Sequence, residues 1–226
     1  MTSGTRHFAC IVLLMAGLLC INTSLFSQEK DFRSWNDISI EKELTDDIDL
    51  QAEIGWRLDK NATRFDENLY ELELQYKGID DYDISTSYRF SMGNEANYTE
   101  YLHRFLVEGE LEKDVEQFEF EFRTRLQTEI IPSAPLVDRF EHYVRDRITI
   151  NYKIKDFPVD PYIAFEHFVP LNNATFVITD KNRYMIGADI DLDNGFDLDV
   201  SYRYQRHYDD VPEYDYILSL GLGYEL

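Results

Sequence analysis

The sequence predicts an all-β protein: an antiparallel up-and-down transmembrane β-barrel of about ten strands, with a candidate extra strand at the N-terminus. Three observations lead to this fold class. Apolar and polar residues alternate along most of the chain, tyrosines bracket the aliphatic part of several apolar stripes, and short connections alternate with long ones. Alternation with a period of two is typical of strands whose two faces meet different surroundings. Alternating short turns and longer loops are typical of outer-membrane barrels.

Composition limits the function classes. The chain has 226 residues, 44 acidic and 22 basic side chains, and a formal net charge of -22. This length fits one domain. Such an acidic balance argues against a nucleic-acid partner, because phosphate backbones are held by clustered Lys and Arg. Disorder is also disfavoured, since 44% of the residues are hydrophobic and 15% are aromatic.

The first 27 residues have the pattern of a secretory signal peptide. Arg6 and His7 precede an apolar run over 8–21, and small and polar residues follow up to Ser27. We expect cleavage after Ser27. The run is short for a membrane-spanning helix, so a retained anchor is the less favoured alternative. Lipid attachment at Cys20 is disfavoured because Leu19 stands where a small residue is expected.

Both cysteines, Cys10 and Cys20, fall within this segment. The predicted mature chain therefore contains no thiol, which excludes disulfides and cysteine-ligated metal. The predicted organisation is a signal peptide at 1–27, an N-terminal extension or extra strand at 28–47, and an outer-membrane barrel at 48–226.

Ten strands are predicted in the barrel segment. The clearest places Ile48, Leu50, Ala52, Ile54, Trp56 and Leu58 on one face, with polar residues between them. The full set lies at 48–58, 70–77, 82–90, 100–111, 117–127, 139–153, 160–169, 182–192, 196–205 and 214–226. An eleventh candidate at 35–44 has three interpretations: it lies in the periplasm, folds into the lumen, or closes an odd-stranded barrel.

The predicted connections alternate in length. Short turns are expected at 45–47, 78–81, 112–114 and 193–195, and the last contains Asn194-Gly195, the strongest short hairpin signal. Longer loops are expected around 59–67, 93–99, 129–138, 170–180 and 206–213.

The position of the tyrosines favours a membrane barrel over a soluble one. Tyrosine rings prefer the level of lipid headgroups, so two tyrosine belts that flank an aliphatic band indicate contact with outer-membrane lipid. The predicted interface residues are Tyr70, Tyr76, Tyr82, Tyr88, Tyr202, Tyr204, Tyr214, Tyr216 and Tyr224. The alternative is a soluble periplasmic ligand-binding barrel with an apolar interior and an acidic exterior.

The opposite face of the strands would line a lumen and carries charges of both signs. In a narrow barrel these side chains fill much of the interior, so we expect a plugged lumen or a narrow channel. Arg123, Arg125, Arg145 and Arg147 form the most distinctive group. They would face one lumen at neighbouring heights, where they either coordinate an anionic group or pair with carboxylates. The expected carboxylate partners are Glu119, Glu121 and Glu141.

The sequence predicts no catalytic residue, metal site or cofactor. An outer-membrane hydrolase that uses loop residues is the alternative, and His207 beside Asp209 and Asp210 in a predicted external loop is its candidate. His103 and His142 fall on the apolar parity. Glu166 and His167 are adjacent in a strand and point to opposite faces, which argues against joint chelation.

Several stretches also resemble a known bacterial family, catalogued as domain of unknown function 2490. They are WRLDKNATRFDENLYELELQYK (56–77), YRF (88–90), RTRLQ (123–127), PYIAFEHF (161–168), NRYMIGADIDL (182–192) and LGLGYEL (220–226). The resemblance implies an outer-membrane barrel of a Gram-negative bacterium and brings no known activity. The last strand also resembles the signal read by barrel-assembly machinery, although it ends at Leu226 with its aromatic residue, Tyr224, two positions earlier.

Overall fold

The computed structural model describes residues 30–95, 98–136, 138–172, 179–192, 194–208 and 213–226. The predicted signal peptide at 1–27 lies outside these residues. The described residues form eleven strands: β1 (Lys30–Thr45), β2 (Ile48–Asp59), β3 (Arg64–Ile79), β4 (Tyr82–Asn94), β5 (Thr99–Val115), β6 (Phe118–Ile130), β7 (Phe140–Tyr152), β8 (Val159–Pro170), β9 (Lys181–Asp191), β10 (Phe196–His207) and β11 (Tyr214–Glu225). No helix in the described ranges is long and apolar enough to cross a membrane.

The strands form one closed barrel, which confirms the predicted fold class and includes the eleventh strand. Consecutive strands pair antiparallel, whereas β1 pairs with β11 in parallel, from Lys30 opposite Tyr214 to Glu41 opposite Glu225. Because direction alternates along the chain, the first and eleventh strands run the same way. Of the three interpretations of 35–44, odd-stranded closure is the correct one, and the purely antiparallel prediction is wrong at this seam.

The connections divide the barrel into two ends. We call one of them the turn end. It carries the turns 46–47, 80–81 and 116–117, the connections 153–158 and 192–195, and the C-terminus. The loop end carries the connections 60–63, 95–98, 131–139, 171–180 and 208–213 and the start of β1. At the turn end, Asn194 and Gly195 both have positive φ, 57° and 79°. These values confirm the hairpin predicted there.

Two predicted connections differ from the observed ones. Residues 112–114 lie within β5, and the turn falls at 116–117, because the β5–β6 hairpin extends beyond the apolar band and its polar tip resembles a turn. The predicted loop at 59–67 shortens to 60–63. Asp31 accepts hydrogen bonds from the backbone N–H groups of Lys60 (3.1 Å) and Asn61 (2.9 Å), which holds this tight connection against β1.

The apolar face of the strands points away from the barrel. Its aliphatic and aromatic side chains remain exposed around the circumference, and ten of them, on seven strands, have between 49 and 56% of their surface accessible: Ile54, Leu72, Tyr101, Phe105, Val107, Val115, Leu126, Ile148, Ile163 and Ile186. Ionic side chains face the axis. The lumen therefore contains the charged side chains, and the outer surface of the barrel is apolar.

The outward tyrosines gather in two belts. Near the loop end, Tyr204 stacks on Tyr184 and Tyr214, with both pairs of ring centroids 6.1 Å apart. Near the turn end, Tyr224 packs on Phe196 at 4.6 Å. All nine tyrosines predicted from the alternation have the outward parity in the observed strands.

Candidate functional site

The charges that line the lumen are sorted by height. Toward the turn end the inward positions are mostly carboxylates, and the arginines concentrate at mid-height and toward the loop end. The turn-end carboxylates include Asp49, Asp83, Glu110, Glu112, Glu119, Glu121, Asp189 and Asp199. The lumen thus has an acidic section and a basic section, although the chain as a whole carries an excess of acid.

The structure brings the four predicted arginines together. Strands β6 and β7 pair so that Arg125 lies opposite Arg145 and Arg123 lies opposite Arg147. All four side chains line one cavity inside the barrel. Alternation along two strands joined by one loop was sufficient to predict this juxtaposition.

The carboxylates that neutralise the cluster come from strands on either side. Glu166 of β8 is 2% exposed and lies 2.8 Å from Arg145, 2.9 Å from Arg183 and 3.6 Å from Arg123. Glu108 of β5 lies 2.5 Å from Arg125. Glu166 is therefore a hub where three guanidinium groups meet one carboxylate.

The carboxylates expected as partners lie elsewhere. Glu119 and Glu121 sit closer to the turn end and accept hydrogen bonds from Asn151, while Glu141 accepts one from Tyr143 at 2.9 Å. Glu119 also pairs with Lys153, in the connection after β7, and this hydrogen bond raises the pKa of that lysine. The predicted pairing is wrong because the stagger of β5 and β8 places other carboxylates opposite the arginines.

Two inward aromatic residues, Trp35 and Phe168, complete the cluster and were not singled out from the sequence. Trp35 of β1 has the guanidinium carbons of Arg57, Arg183 and Arg203 at 4.4, 4.9 and 5.5 Å from its ring. Phe168 receives Arg145 at 4.5 Å and Arg183 at 5.1 Å. The alternation could have indicated them, because both occupy positions of the strand face that otherwise carries polar residues.

These contacts join into a continuous series at mid-height of the lumen. We call it the central layer and define it by Arg57, Trp35, Arg183, Glu166, Arg145, Arg123, Glu108 and Arg125. It draws side chains from β2, β1, β9, β8, β7, β6 and β5. Charged hydrogen bonds and cation–π contacts thus link strands that are not neighbours in the barrel, namely β1 with β9 and β6 with β8.

The described residues enclose at least two water-accessible spaces in the lumen. The loop-end chamber measures about 500 Å³, and its lining includes Arg33, Arg147, Lys181, Arg203, His207 and Asp215. The turn-end pocket measures about 230 Å³, and its lining includes Glu121, Asn151, Asp189 and Asp199. Arg147 and Arg203 line both spaces, so they stand at the boundary between the basic and acidic sections.

The histidines of the described residues lie on both faces of the barrel wall. His207 ends β10 and faces the lumen, 3.0 Å from Asp215, so its predicted place in an external loop is wrong. Asp209 and Asp210 lie outside the described residues. His167 bonds Asn182 at 2.6 Å on the outer face, whereas Glu166 points inward. In the part of the chain that the structure describes, no cluster of His, Cys, Asp or Glu could hold a metal ion.

His103 and His142 both lie on the outer face near the loop end, as their parity predicts. His103 shares a hydrogen bond with Tyr88 at 2.8 Å, and His142 shares one with Thr128 at 2.9 Å.

The sequence model of a family described as "Protein of unknown function (DUF2490)" matches residues 32–215. The chain is also similar to a crystal structure of the β domain of the Bordetella autotransporter BrkA, with 15% identity and a TM-score of 0.48. That similarity covers 77% of this chain and 82% of the other. No curated protein matches the chain.

Proposed function

Because the chain belongs to the family DUF2490, whose description gives no function, we propose a role from the barrel itself: an integral, non-enzymatic β-barrel protein of a bacterial outer membrane with a closed or very narrow lumen. The family match confirms the resemblance found in the sequence. One observation carries the proposal: the aliphatic side chains are exposed on the outside around the circumference, while the charges are enclosed.

An outer face of this kind is costly in water. Soluble monomers rarely expose contiguous apolar patches larger than a few hundred Å². Fully burying one large apolar side chain contributes about 1.5–3 kcal/mol. Ile54 and Leu126 are 55 and 56% exposed, so covering each of these side chains with lipid would stabilise the folded barrel by roughly 1 kcal/mol.

The vertical dimensions fit a bilayer. Tyr216 and Tyr224 of β11 are eight residues apart, which is about 27 Å along a strand. At a tilt of about 40° this corresponds to roughly 20 Å in height, near the apolar band of outer-membrane barrels. The two tyrosine belts would then lie at the two headgroup levels.

Orientation follows from the connections. Outer-membrane barrels have short turns on the periplasmic side and longer loops outside. The turn end would then face the periplasm, and the loop-end chamber would open outward. The final strand, with Tyr224 and Leu226, is the segment we expect barrel-assembly machinery to recognise.

The central layer supports a closed or narrow lumen. Its two carboxylates each hold more than one arginine: Glu108 meets two guanidinium groups and Glu166 meets three. Moving such a group aside would leave buried charges without partners, which is costly. This favours a structural role, or conduction restricted to very small solutes.

Two substitutions on one strand test the membrane assignment. Ile54→Lys places a charge on the outer face of β2, and Gln51→Lys places the same charge in the lumen. We expect the first to impair folding into lipid vesicles, measured by heat-modifiable gel migration, and the second to fold like the parent. Partition of the parent into the aqueous phase without detergent, or improved solubility of the Ile54→Lys variant as a soluble barrel, would overturn the assignment.

Planar-bilayer recording tests the lumen separately. The refolded protein should give no steady open-channel current. A constant conductance from a correctly folded barrel would refute the closed lumen and leave the membrane assignment intact.

A further inference from the structure

The arginines of the central cluster outnumber the carboxylates that touch them. Among the described residues, the carboxylates within 4 Å of the guanidinium groups of Arg123, Arg125, Arg145 and Arg183 are those of Glu108 and Glu166. Arg147, opposite Arg123, reaches no carboxylate among the described residues and donates only its Nε–H, to Thr149 at 3.1 Å. Arg147 lines both the loop-end chamber and the turn-end pocket, and its two terminal nitrogens have no protein acceptor in the described part of the chain.

Arg203 is similarly weakly paired on the neighbouring wall. Its nearest carboxylate contact is Asp199 at 3.9 Å, and its Nε donates to Ser201 at 3.1 Å. Lys181, higher in the chamber, has Asp180 at 3.8 Å. Arg145 adds a buried Nε that has no hydrogen-bond partner within the described ranges.

Arginine does not lose its proton in proteins, so these charges need a counter-charge or water. The chamber has space for both. Its volume of about 500 Å³ falls within the usual range for small-molecule sites. Planar guanidinium groups match the geometry of carboxylate and phosphate oxygens, which an isolated halide ion cannot use in the same bidentate way.

The far side of the boundary has the opposite charge. Beneath Arg147 and Arg203, the turn-end pocket is lined by Glu121, Asp189 and Asp199. An anion that entered from the loop end would meet this carboxylate wall directly after the last arginines. The arrangement therefore favours binding over passage.

We propose that the loop-end chamber is a dead-end receptor for a water-soluble oxyanion, a small phosphorylated or polycarboxylated molecule held by Arg147 and Arg203. Because the closed barrel wall separates the chamber from the surrounding lipid or detergent, the ligand enters from water at the loop end. This inference goes beyond the membrane assignment and applies equally to the barrel in a detergent micelle.

Trp35 supplies a spectroscopic reporter for the test. The chain contains two tryptophans, and Trp56 lies on the outer face of β2. In a Trp56→Phe background, emission comes from Trp35 alone, whose ring contacts Arg203 and lines the chamber. Pyrophosphate is titrated into the refolded protein in detergent while sodium chloride keeps the ionic strength constant.

We expect a saturable change in emission. Arg147→Gln and Arg203→Gln should each raise the apparent dissociation constant for pyrophosphate about tenfold or more, as expected for the loss of one charged hydrogen-bonding partner. Arg206→Gln is the matched control, since Arg206 is also on β10 and faces outward. It should bind pyrophosphate like the parent.

Absence of a saturable response at constant ionic strength would overturn the proposal, as would an equal loss of binding in the Arg206→Gln control. If the lumen variants fail to fold, the midpoint of urea unfolding of the parent decides: it should rise with pyrophosphate but not with chloride. No rise would refute the site. Escape of entrapped pyrophosphate from vesicles that contain the parent would refute the dead end. Each of these outcomes is independent of the Ile54→Lys test of membrane insertion.

Discussion

Asn36 of β1 lies opposite Leu220 of β11 in the parallel pair that closes the barrel. The two strands are the first and the last in the sequence, and their pairing closes the barrel. The two strands pair without interruption over twelve residues each, so the barrel wall has no gap between them.

A disulfide across this seam should form in the folded protein. Ser34 and Leu218 are direct neighbours on the outer face, and adjacent strands lie about 4.8 Å apart, within the range that a disulfide spans. The chain beyond residue 30 contains no cysteine. We expect Ser34→Cys with Leu218→Cys to cross-link under mild oxidation and to resist heat unfolding on non-reducing gels.

Ser34→Cys with Leu222→Cys is the register control for this experiment. Its second position is four residues farther along β11, or roughly 13 Å, which is beyond the reach of a disulfide. Equal cross-linking of both pairs, or of neither, would contradict the parallel register.

The sequence predicted the barrel well where alternation was clean and poorly where it was interrupted. In β11 every outward position from Tyr214 to Tyr224 is apolar, and the strand was found in full. In β1 the outward positions include Ser34 and Asn36, whose side chains bond to each other at 3.1 Å. Those polar residues weakened the period of two, so only part of the strand was recognised and its parallel pairing remained open.

The arginine cluster in the lumen could likewise be predicted only in part from the sequence. The juxtaposition of Arg125 and Arg145 needs only one hairpin, whereas the contact of Arg145 with Glu166 depends on the stagger between β7 and β8. By register alone, Glu166 stands opposite Arg147 of β7, yet its ion pair with that strand is to Arg145. Side-chain direction within a narrow lumen decides such partners, and no local pattern encodes it.

Removal of the charge at Glu166 should be strongly destabilising. Glu166→Gln leaves three guanidinium groups at a hub that has lost its carboxylate, and breaking a buried ion pair on one side costs about 3–5 kcal/mol. We expect a loss of about 3 kcal/mol in the free energy of unfolding, measured by urea titration in lipid.

Glu110→Gln is the matched control for this substitution. Glu110 faces the same lumen and, among the described residues, has no ion pair within 4 Å, so its loss should change stability by less than about 0.5 kcal/mol. Similar effects of the two substitutions would show that Glu166 is not a hub.

Asp146 presents a carboxylate on the outer face at the middle of β7. It accepts a hydrogen bond from Thr124 at 2.7 Å and faces His167 across the β7–β8 pair. Charged groups on the lipid side of a barrel are destabilising near the midplane, acidic ones less than basic ones. Asp146→Val should therefore raise the free energy of unfolding in lipid by about 1 kcal/mol.

A double substitution separates the carboxylate from its donor. Thr124→Val alone removes the hydrogen bond and should destabilise the barrel by about 1 kcal/mol, whereas Thr124→Val with Asp146→Val should be at least as stable as the parent. A clear loss of stability in the Asp146→Val variant would show instead that this carboxylate contributes to the fold.

Trp35 is the part of the central layer whose removal should open the lumen most directly. Its ring stands between guanidinium groups of β2, β9 and β10, so it connects walls that are not adjacent. Trp35→Ala removes the surface on which these groups stack, and like charges brought together in a narrow space repel one another and move apart. We expect steady currents in planar bilayers where the parent gives none.

The same variant should also reveal the sign of the lumen charge. If the constriction of the variant lies among the arginines of the central layer, chloride should carry most of the current and the reversal potential in a salt gradient should move toward that of chloride. Trp56→Ala removes an indole from the outer face of the same region and should remain silent. Cation-selective current through the Trp35→Ala variant would place the constriction in the acidic section near Asp189 and Asp199 and refute the central layer as the barrier.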